Sequence, residues 1–153
     1  MKAKHKVYWF TGQAGAGKTT LANLLKEKLD SELPICSKEK IVIIDGDDIR
    51  EIFNNNDYSM QGRRKNVDFV QQLCIFLIKN NVTPIVCMVS PFAEQRKLFC
   101  AKNEGIEIYV SCTEIRGREN FHINYYEKPT NAIEINTTNK NNEKSFKELW
   151  KLI

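Results

Sequence analysis

A stretch close to the N-terminus has the residue types and spacing of a loop that binds phosphate groups. Residues 12–19 read GQAGAGKT and fit the pattern G-x-x-x-x-G-K-[ST]. Glycines let such a loop wrap so that its backbone N–H groups point at phosphate oxygens, and the helix that follows adds partial positive charge. Lys18 can then reach the β- and γ-phosphates, while the Thr19 hydroxyl can ligate Mg²⁺. The motif predicts binding of a nucleoside triphosphate, ATP, together with Mg²⁺.

The segments on either side of this loop are those that the motif requires. Residues 7–11 are an apolar run typical of a strand, and residues 19–29 place four leucines on one face at helical spacing. A strand, a loop and a helix in this order argue against a purely structural turn. The residues predicted to hold ATP in this unit are Gly12, Gln13, Ala14, Gly15, Ala16, Gly17, Lys18, Thr19 and Thr20.

A second group of chemically active residues follows the next apolar run. Residues 41–44 read IVII, typical of a strand buried on both faces, and residues 45–50 then read DGDDIR. Carboxylates at the end of that strand face the phosphate loop across a crevice. They can hold the water shell of Mg²⁺, or accept a proton from an attacking hydroxyl in phosphoryl transfer. The alternative is that Asp47 and Asp48 only cap the next helix.

Strand-like and helix-like segments alternate along the chain. This order predicts an α/β fold, a three-layer sandwich whose mostly parallel five-stranded sheet carries ligands at the carboxyl ends of its strands. The predicted strands are 7–11, 41–44, 85–89, 106–110 and 133–135, and the predicted helices are 19–29, 63–79, 93–102 and 146–152. Residues 136–144, rich in Asn and Lys, are predicted to be a solvated connection, to which the sequence assigns no function.

Length and composition indicate a small enzyme. The 153 residues are expected to form one domain, 1–153, and the formal net charge of +4 is spread widely enough to argue against a nucleic-acid partner. Five cysteines occur without a C-x-x-C pair, which indicates reduced thiols. Neither a signal peptide nor a membrane-spanning apolar run is evident, so we expect a cytoplasmic protein without a membrane partner.

An ordered set of motifs, beginning with the phosphate loop, resembles the adenylylsulfate kinase family. These P-loop kinases phosphorylate the 3′-hydroxyl of adenosine 5′-phosphosulfate. The resemblance implies a P-loop kinase-like fold, ATP and Mg²⁺ as cofactors, a nucleotide-like acceptor and a homodimer. After the phosphate loop, the motifs that carry it are DGDDIR at 45–50, YS at 58–59, RRKN at 63–66, SPF at 90–92 with Arg96, IYV at 108–110 and YEKP at 126–129.

The resemblance also implies roles for single residues. Lys18 and Asp47 would be catalytic, with Asp47 as the base or orienting carboxylate for the acceptor hydroxyl, and Thr19 and Asp45 would hold the metal. Arg50 and Arg63 would hold the 5′-diphosphate-like group of the acceptor.

Four further positions would complete the acceptor site. Asn66 would add a polar contact, and Tyr58 and Phe121 would sandwich the base. Purely structural roles stay open as alternatives: Arg63 as a surface charge, Tyr58 as a loop aromatic and Phe121 as a core residue. Ser90 would either contact the acceptor or only shape the turn before Pro91.

The chain departs from the family pattern in the lid over the nucleotides. Residues 116–118 run directly into ENFHI at 119–123, so the lid is shorter, and either Arg116 or Arg118 stands in for a family arginine that covers ATP. A short lid predicts a pocket for a smaller base or for several bases. A related branch phosphorylates cytidine diphosphoramidate in bacterial capsule assembly, which is the alternative substrate. A non-catalytic nucleotide-binding regulator is a third hypothesis, although Asp47 argues against it.

Overall fold

A computed structural model describes residues 5–114 and 117–153 as one parallel sheet between two layers of helices. The strands are β1 (Val7–Thr11), β2 (Lys40–Asp45), β3 (Val82–Cys87), β4 (Gly105–Ser111) and β5 (Ile133–Asn136). The helices are α1 (Lys18–Glu32), α2 (Gly46–Ile52), α3 (Met60–Lys79), α4 (Ala93–Lys102) and α5 (Asn142–Leu152), with a 3₁₀ turn at Glu119–Phe121. Across the described ranges, no helix has both the length and the hydropathy that a membrane crossing requires.

The order of the strands, β2-β3-β1-β4-β5, places β1 at the centre of the sheet. Every pair of neighbouring strands is parallel, so all carboxyl ends lie at one edge. The loop after β1 and the acidic cluster after β2 therefore reach the same edge, with the end of β3 between them. This is where parallel α/β sheets bind ligands, and the predicted α/β three-layer fold is confirmed.

Both faces of the sheet are covered, as the apolar strands require. Successive side chains of a strand alternate between faces. In β1, Tyr8 and Phe10 pack with Leu21 of α1 and Leu149 of α5. On the opposite face Trp9 packs against α3 and α4, with its ring 5.4 Å from that of Phe99 between centroids. The strand that leads into the phosphate loop is thus held rigidly from both sides.

Strand β3 begins and ends earlier than the predicted 85–89. Pro84, which has no N–H to donate, is tolerated within β3 because the pairing with β1 begins only at Ile85. The strand ends at Cys87, and the chain turns at Ser90, whose φ of 39° lies in the left-handed region. Residues 88–91 line the cavity at this edge of the sheet together with the phosphate loop.

The acidic cluster itself begins a helix, which sequence periodicity did not reveal. Asp45 is the N-cap of α2, since its Oδ1 accepts a hydrogen bond from the Asp47 backbone N–H at 2.9 Å. The alternative in which Asp47 and Asp48 cap this helix is therefore wrong. Both lie in its first turn, where carboxylates interact favourably with the helix dipole.

Residues 136–144 are mostly exposed, as predicted, but they do more than connect β5 to α5. Thr137 is buried, and its Oγ1 donates a hydrogen bond to the Ala16 carbonyl of the phosphate loop at 2.7 Å. Asn141 caps α5 by accepting a bond from the Lys144 N–H at 2.8 Å, so that helix begins at Asn142 rather than at 146. Polar residues here cap a helix and support the loop.

Candidate active site

A cavity of about 320 Å³ lies at the carboxyl edge of the sheet, above β1, β2 and β3. Its volume is at the lower end of the range for small-molecule sites. All the residues predicted to bind the acceptor line it, as do Ala14, Gly15, Gly17, Lys18, Thr19 and Thr20 of the phosphate loop. Gly12, Gln13 and Ala16, by contrast, do not line it. Arg116 lies outside the described residues.

The glycines of the phosphate loop adopt backbone angles that other residues disfavour. Gly12 has a φ of 145°, and a Cβ atom there would lie only 2.2 Å from the carbonyl oxygen of Val110. Gly15 and Gly17 also have positive φ, at 78° and 102°. The loop therefore folds tightly against β4, and α1 begins immediately after Gly17.

Lys18 is held inside the loop, with 9% of its surface exposed. Its Nζ donates hydrogen bonds to the carbonyl oxygens of Gly12, at 3.0 Å, and Gln13, at 2.7 Å. Burial lowers the pKa of this ammonium from 10.5 to about 8, against the opposing influence of Cys87, Asp45 and Asp47. A buried cation that faces the cavity is suited to neutralise charge on a phosphoryl group.

Thr19 and Asp45 form the pair predicted to hold a metal ion. The Thr19 hydroxyl donates to Asp45 Oδ2 at 2.8 Å, close to the spacing of about 2.9 Å between adjacent ligands in octahedral Mg²⁺ coordination. Among the described residues, no group of three or more His, Cys, Asp or Glu side chains is arranged to hold a metal. The donor set fits Mg²⁺, which typically takes one or two protein oxygens along with phosphates and water.

Asp47 lies between the two ends of the cavity. It is exposed, in the first turn of α2, and it lines the cavity, whereas Asp48 does not. Its charge raises the pKa values of both Lys18 and Arg50, so it is near both cations. A carboxylate in this place can orient a hydroxyl group and take its proton.

Arg50, Tyr58, Arg63 and Phe121 form the far side of the cavity, which we call the acceptor wall. Arg50 is buried, and its Nη1 donates to the carbonyl oxygens of Asn55, at 3.3 Å, and Asp57, at 2.8 Å. Burial lowers the pKa of this guanidinium. Arg50 thus holds the loop before α3 while its remaining donors can reach a ligand.

Tyr58 lies close to both arginines. The Arg50 guanidinium carbon is 4.3 Å from the centroid of the Tyr58 ring, and that of Arg63 is 5.5 Å from it. Arg63 Nε also donates to the Tyr58 carbonyl at 3.2 Å. The two cations and the ring are therefore one cluster, suited to bind an anionic group beside an aromatic one.

The two aromatic rings of the acceptor wall face each other at an angle. Tyr58 and Phe121 are each 44% exposed, so the alternative of Phe121 as a core residue is wrong. Their centroids are 6.4 Å apart, and their planes meet at 62°. For a base to stack between two rings, the ring planes must be parallel and about 7 Å apart, since each ring contacts the base at about 3.5 Å. A sandwich would therefore require one ring to rotate.

Asn66 and Ser90 both line the cavity but differ in what they offer a ligand. Asn66 is buried on α3. The Ser90 hydroxyl instead accepts a hydrogen bond from Trp9 Nε1 at 2.9 Å, and its carbonyl accepts one from Arg96 Nη1. These bonds support the alternative in which Ser90 shapes the turn before Pro91, while its place in the cavity lining leaves the predicted contact with the acceptor a prediction.

Arg118 is the lid arginine that the described residues place at the cavity. It lines the cavity, its guanidinium carbon lies 5.6 Å from the Phe121 ring centroid, and its charge further lowers the pKa of Lys18. A cation in this position can contact phosphate groups bound near Lys18.

Three residues have supporting roles that the sequence did not reveal, although Arg96 and Tyr126 belong to the motifs that carry the family resemblance. Thr137 bonds to the phosphate loop from the end of β5, as described above. Arg96 is fully buried, and its guanidinium links Glu107 of β4 with the Ser90 and Glu127 carbonyls. The Tyr126 hydroxyl lies 2.9 Å from Thr11 Oγ1, at the end of β1. The bonds of Thr137 and Tyr126 join residues more than 100 positions apart, and Arg96 reaches Glu127, 31 positions away, so no local pattern signals these contacts.

Comparison with known proteins agrees with this geometry. The model of the family described as adenylylsulphate kinase matches residues 4–138. The chain is 31% identical over 117 residues to an adenylyl-sulfate kinase of Bacillus velezensis, covering 72% of this chain and 57% of that protein. A probable adenylyl-sulfate kinase of Halalkalibacterium halodurans is 29% identical over 114 residues, covering 72% and 52%. The chain thus spans about half the length of the curated relatives it matches.

Solved structures share the fold. The APS kinase of Mycobacterium tuberculosis in complex with AMPPNP and APS superposes with a TM-score of 0.78 and 21% identity, covering 97% of each chain. A gluconokinase from Sinorhizobium meliloti 1021 gives a TM-score of 0.65 at 11% identity, covering 99% of this chain and 95% of that one. At these identities the structures establish only the architecture. The family model, by contrast, covers most of the chain, which therefore belongs to the adenylylsulfate kinase family.

Proposed function

We propose that this chain is an ATP-dependent kinase that phosphorylates the ribose 3′-hydroxyl of a nucleoside 5′-phosphate derivative, with adenosine 5′-phosphosulfate as the acceptor. The observation that carries the proposal is the single cavity that joins the phosphate loop to the acceptor wall, with Asp47 close to cations at both ends. The adenylyl-sulfate kinases among the relatives support this acceptor, as does the APS bound in the solved kinase from Mycobacterium tuberculosis.

The phosphate loop would bind the triphosphate of ATP. Its N–H groups and the start of α1 favour the phosphate charge, and Lys18 would exchange its bonds to the Gly12 and Gln13 carbonyls for phosphoryl oxygens. Thr19 and Asp45 would hold Mg²⁺, which supplies charge neutralisation between the phosphates when bound. Arg118 would add a further cation from the opposite side.

The acceptor wall would hold the second nucleotide with its ribose towards Asp47. Arg50 and Arg63 would bind the anionic 5′ group, and Tyr58 and Phe121 would contact the base. Asp47 would then accept the proton of the 3′-hydroxyl while the oxygen of that hydroxyl forms a bond to the γ-phosphorus. The bond from that phosphorus to the bridging oxygen breaks, and ADP leaves with that electron pair.

An acceptor-stimulated release of ADP tests the proposal. The protein is incubated with ATP and Mg²⁺, alone and with adenosine 5′-phosphosulfate, adenosine 5′-phosphate or cytidine 5′-diphosphate. We expect ADP release to rise with adenosine 5′-phosphosulfate in the wild type and not in Asp47→Asn. ADP release that no acceptor stimulates, from a protein that binds ATP, would instead indicate the nucleotide-binding regulator.

A further inference from the structure

Gln13 belongs to the phosphate loop, but its side chain points away from the cavity and pairs with the segment that carries Phe121. Its Nε2 donates to the carbonyl oxygen of Ile123 at 2.8 Å, and its Oε1 accepts from the Ile123 backbone N–H at 3.2 Å. Because a carboxamide has one acceptor end and one donor end, the two bonds also determine its orientation. The side chain binds Ile123 as a neighbouring strand would.

The same residue contacts the catalytic lysine through its backbone. The Gln13 carbonyl accepts the bond from Lys18 Nζ at 2.7 Å. Ile123 is buried, and only His122 separates it from Phe121, whose ring is exposed at the cavity. Two residues span at most about 7 Å, so an anchor at Ile123 limits where the Phe121 backbone can lie.

The segment before Ile123 has few other long-range bonds among the described residues. The Phe121 N–H bonds to the Arg118 carbonyl at 3.0 Å, and the His122 N–H bonds to the Glu119 carbonyl at 3.2 Å, both within the 3₁₀ turn. A single 3₁₀ turn has poor hydrogen-bond geometry, so without an attachment to the sheet its own two bonds open readily. The paired bonds of Gln13 supply that attachment.

We propose that Gln13 is a positioning residue, which anchors the 3₁₀ turn and Phe121 to the phosphate loop and so completes the acceptor wall. Its backbone carbonyl bonds to Lys18 at the ATP end of the cavity, whereas its side chain holds the segment that contacts the acceptor. Loss of the carboxamide should release Phe121, weaken acceptor binding and leave the phosphate loop able to bind ATP. The effect on acceptor binding rests on the proposed function, but the anchoring of the turn does not.

Hydrogen–deuterium exchange resolved to single amides tests the anchoring. Gln13→Met keeps the length of the side chain and removes both hydrogen bonds. The informative amides are those of Phe121 and His122, because their own bonding partners are unchanged by the substitution. We expect both to exchange about tenfold faster, as the loss of one or two net hydrogen bonds implies.

Gln71→Met is the matched control. Gln71 also donates a side-chain bond to a distant backbone carbonyl, that of Gln95 at 3.0 Å, but on the α3 side of the sheet. The Gln71→Met substitution should leave the exchange rates of the Phe121 and His122 amides unchanged. If Gln13→Met does not fold, Gln13→Glu gives the same comparison, since it keeps an acceptor for the Ile123 N–H and loses the donor.

Kinetics then test the consequence for the acceptor. In Gln13→Met, the KM for adenosine 5′-phosphosulfate should rise about tenfold, with the dissociation constant for ATP changed by less than about twofold. Unchanged exchange at Phe121 and His122, or faster exchange with an unchanged acceptor KM, would overturn the proposal. If the wild type lacks turnover, the proposed function fails, and the exchange result alone decides the anchoring.

Discussion

The phosphate loop and the acceptor wall lie at opposite ends of one cavity, and they are built in different ways. The loop is made of consecutive residues between β1 and α1, and its lysine is buried and bonded to its own backbone. The acceptor wall takes its residues from α2, from the loop before α3, from α3 itself and from a 3₁₀ turn far along the chain. Its two aromatic rings are almost half exposed.

This difference bears on how each end can change. The loop depends on backbone shape, such as the close approach of Gly12 to Val110, so its geometry allows little variation. The acceptor wall depends on side chains held by a few hydrogen bonds, so its rings can move by rotation. We therefore expect substitutions in the loop to abolish the reaction, and substitutions in the wall to change which acceptor is bound and how tightly.

Lys18→Ala should produce the largest effect. It removes the cation that stabilises charge on the transferred phosphoryl group, and a fall in kcat of about 10³–10⁵-fold is expected by analogy with other phosphoryl-transfer cations. The melting temperature should not fall, because burial already disfavours the charged lysine. ADP release under saturating ATP measures the effect. A variant that kept a tenth of the wild-type kcat would show that the loop is wrongly assigned.

Asp47→Asn should follow. The substitution keeps the shape of the side chain and removes the charge that takes the hydroxyl proton, which is typically worth about 10²–10⁴ in rate. ATP binding, measured by calorimetry, should change little. Asp48→Asn is the matched control, since Asp48 lies in the same turn but away from the cavity. An unchanged kcat with much weaker ATP binding would place Asp47 at the metal instead.

Arg63→Ala tests the acceptor wall itself. The loss of a charge-assisted contact should raise the acceptor KM by about 10–100-fold and leave the KM for ATP nearly constant. Arg64→Ala provides the control, because Arg64 is the exposed neighbour and stacks on Phe92 with its guanidinium carbon 3.8 Å from that ring centroid. Arg50→Ala should raise the same KM and also lower the melting temperature, since Arg50 holds the Asp57 carbonyl. Equal effects on both substrates would contradict the division into two ends.

The pH dependence of ATP use is the smallest effect. Burial lowers the pKa of Lys18 to about 8, so raising the pH above 8 removes its positive charge from the free protein. The kcat/KM for ATP should therefore fall on the alkaline side, by up to about tenfold per pH unit. Lys18→Arg, which stays charged, should lose this alkaline limb even if its activity is lower. If the alkaline fall in kcat/KM persists in Lys18→Arg, it reports the titration of a group other than Lys18.

The strand, loop and helix that carry Lys18 could be predicted from the sequence because their signals are local. Lys18, Thr19 and Asp45 lie at fixed positions relative to strands that the apolar runs reveal. The sequence left two roles open for Ser90, since it does not reveal that the Ser90 hydroxyl bonds to Trp9, 81 residues away. Thr137 was missed for the same reason, because only the pairing of β5 with β4 brings it to the loop. The single domain, the homodimer and the cytoplasmic location stay predictions.

The acceptor wall was predicted through the family resemblance rather than from residue patterns. Tyr58 and Phe121 share no local motif, yet the structure brings them within 6.4 Å of each other between ring centroids. The resemblance could not supply the angle between the rings or the anchor at Gln13. These depend on the short segment after residue 117, where the chain departs from the family pattern. The base of the acceptor nucleotide is therefore the property that is hardest to predict from the sequence.

The position of the transferred phosphate tests the central claim most directly. The protein is incubated with ATP, Mg²⁺ and equal amounts of adenosine 5′-phosphosulfate and cytidine 5′-diphosphate, and the products are assigned by ³¹P NMR and mass spectrometry. We expect a new phosphate on the ribose 3′-oxygen of adenosine 5′-phosphosulfate, absent with Asp47→Asn. Phosphate on the cytidine nucleotide alone would indicate that the acceptor is a cytidine nucleotide, as in the related branch that phosphorylates cytidine diphosphoramidate. Phosphate released only to water, or placed at another oxygen, would show that this protein is not a ribose 3′-hydroxyl kinase.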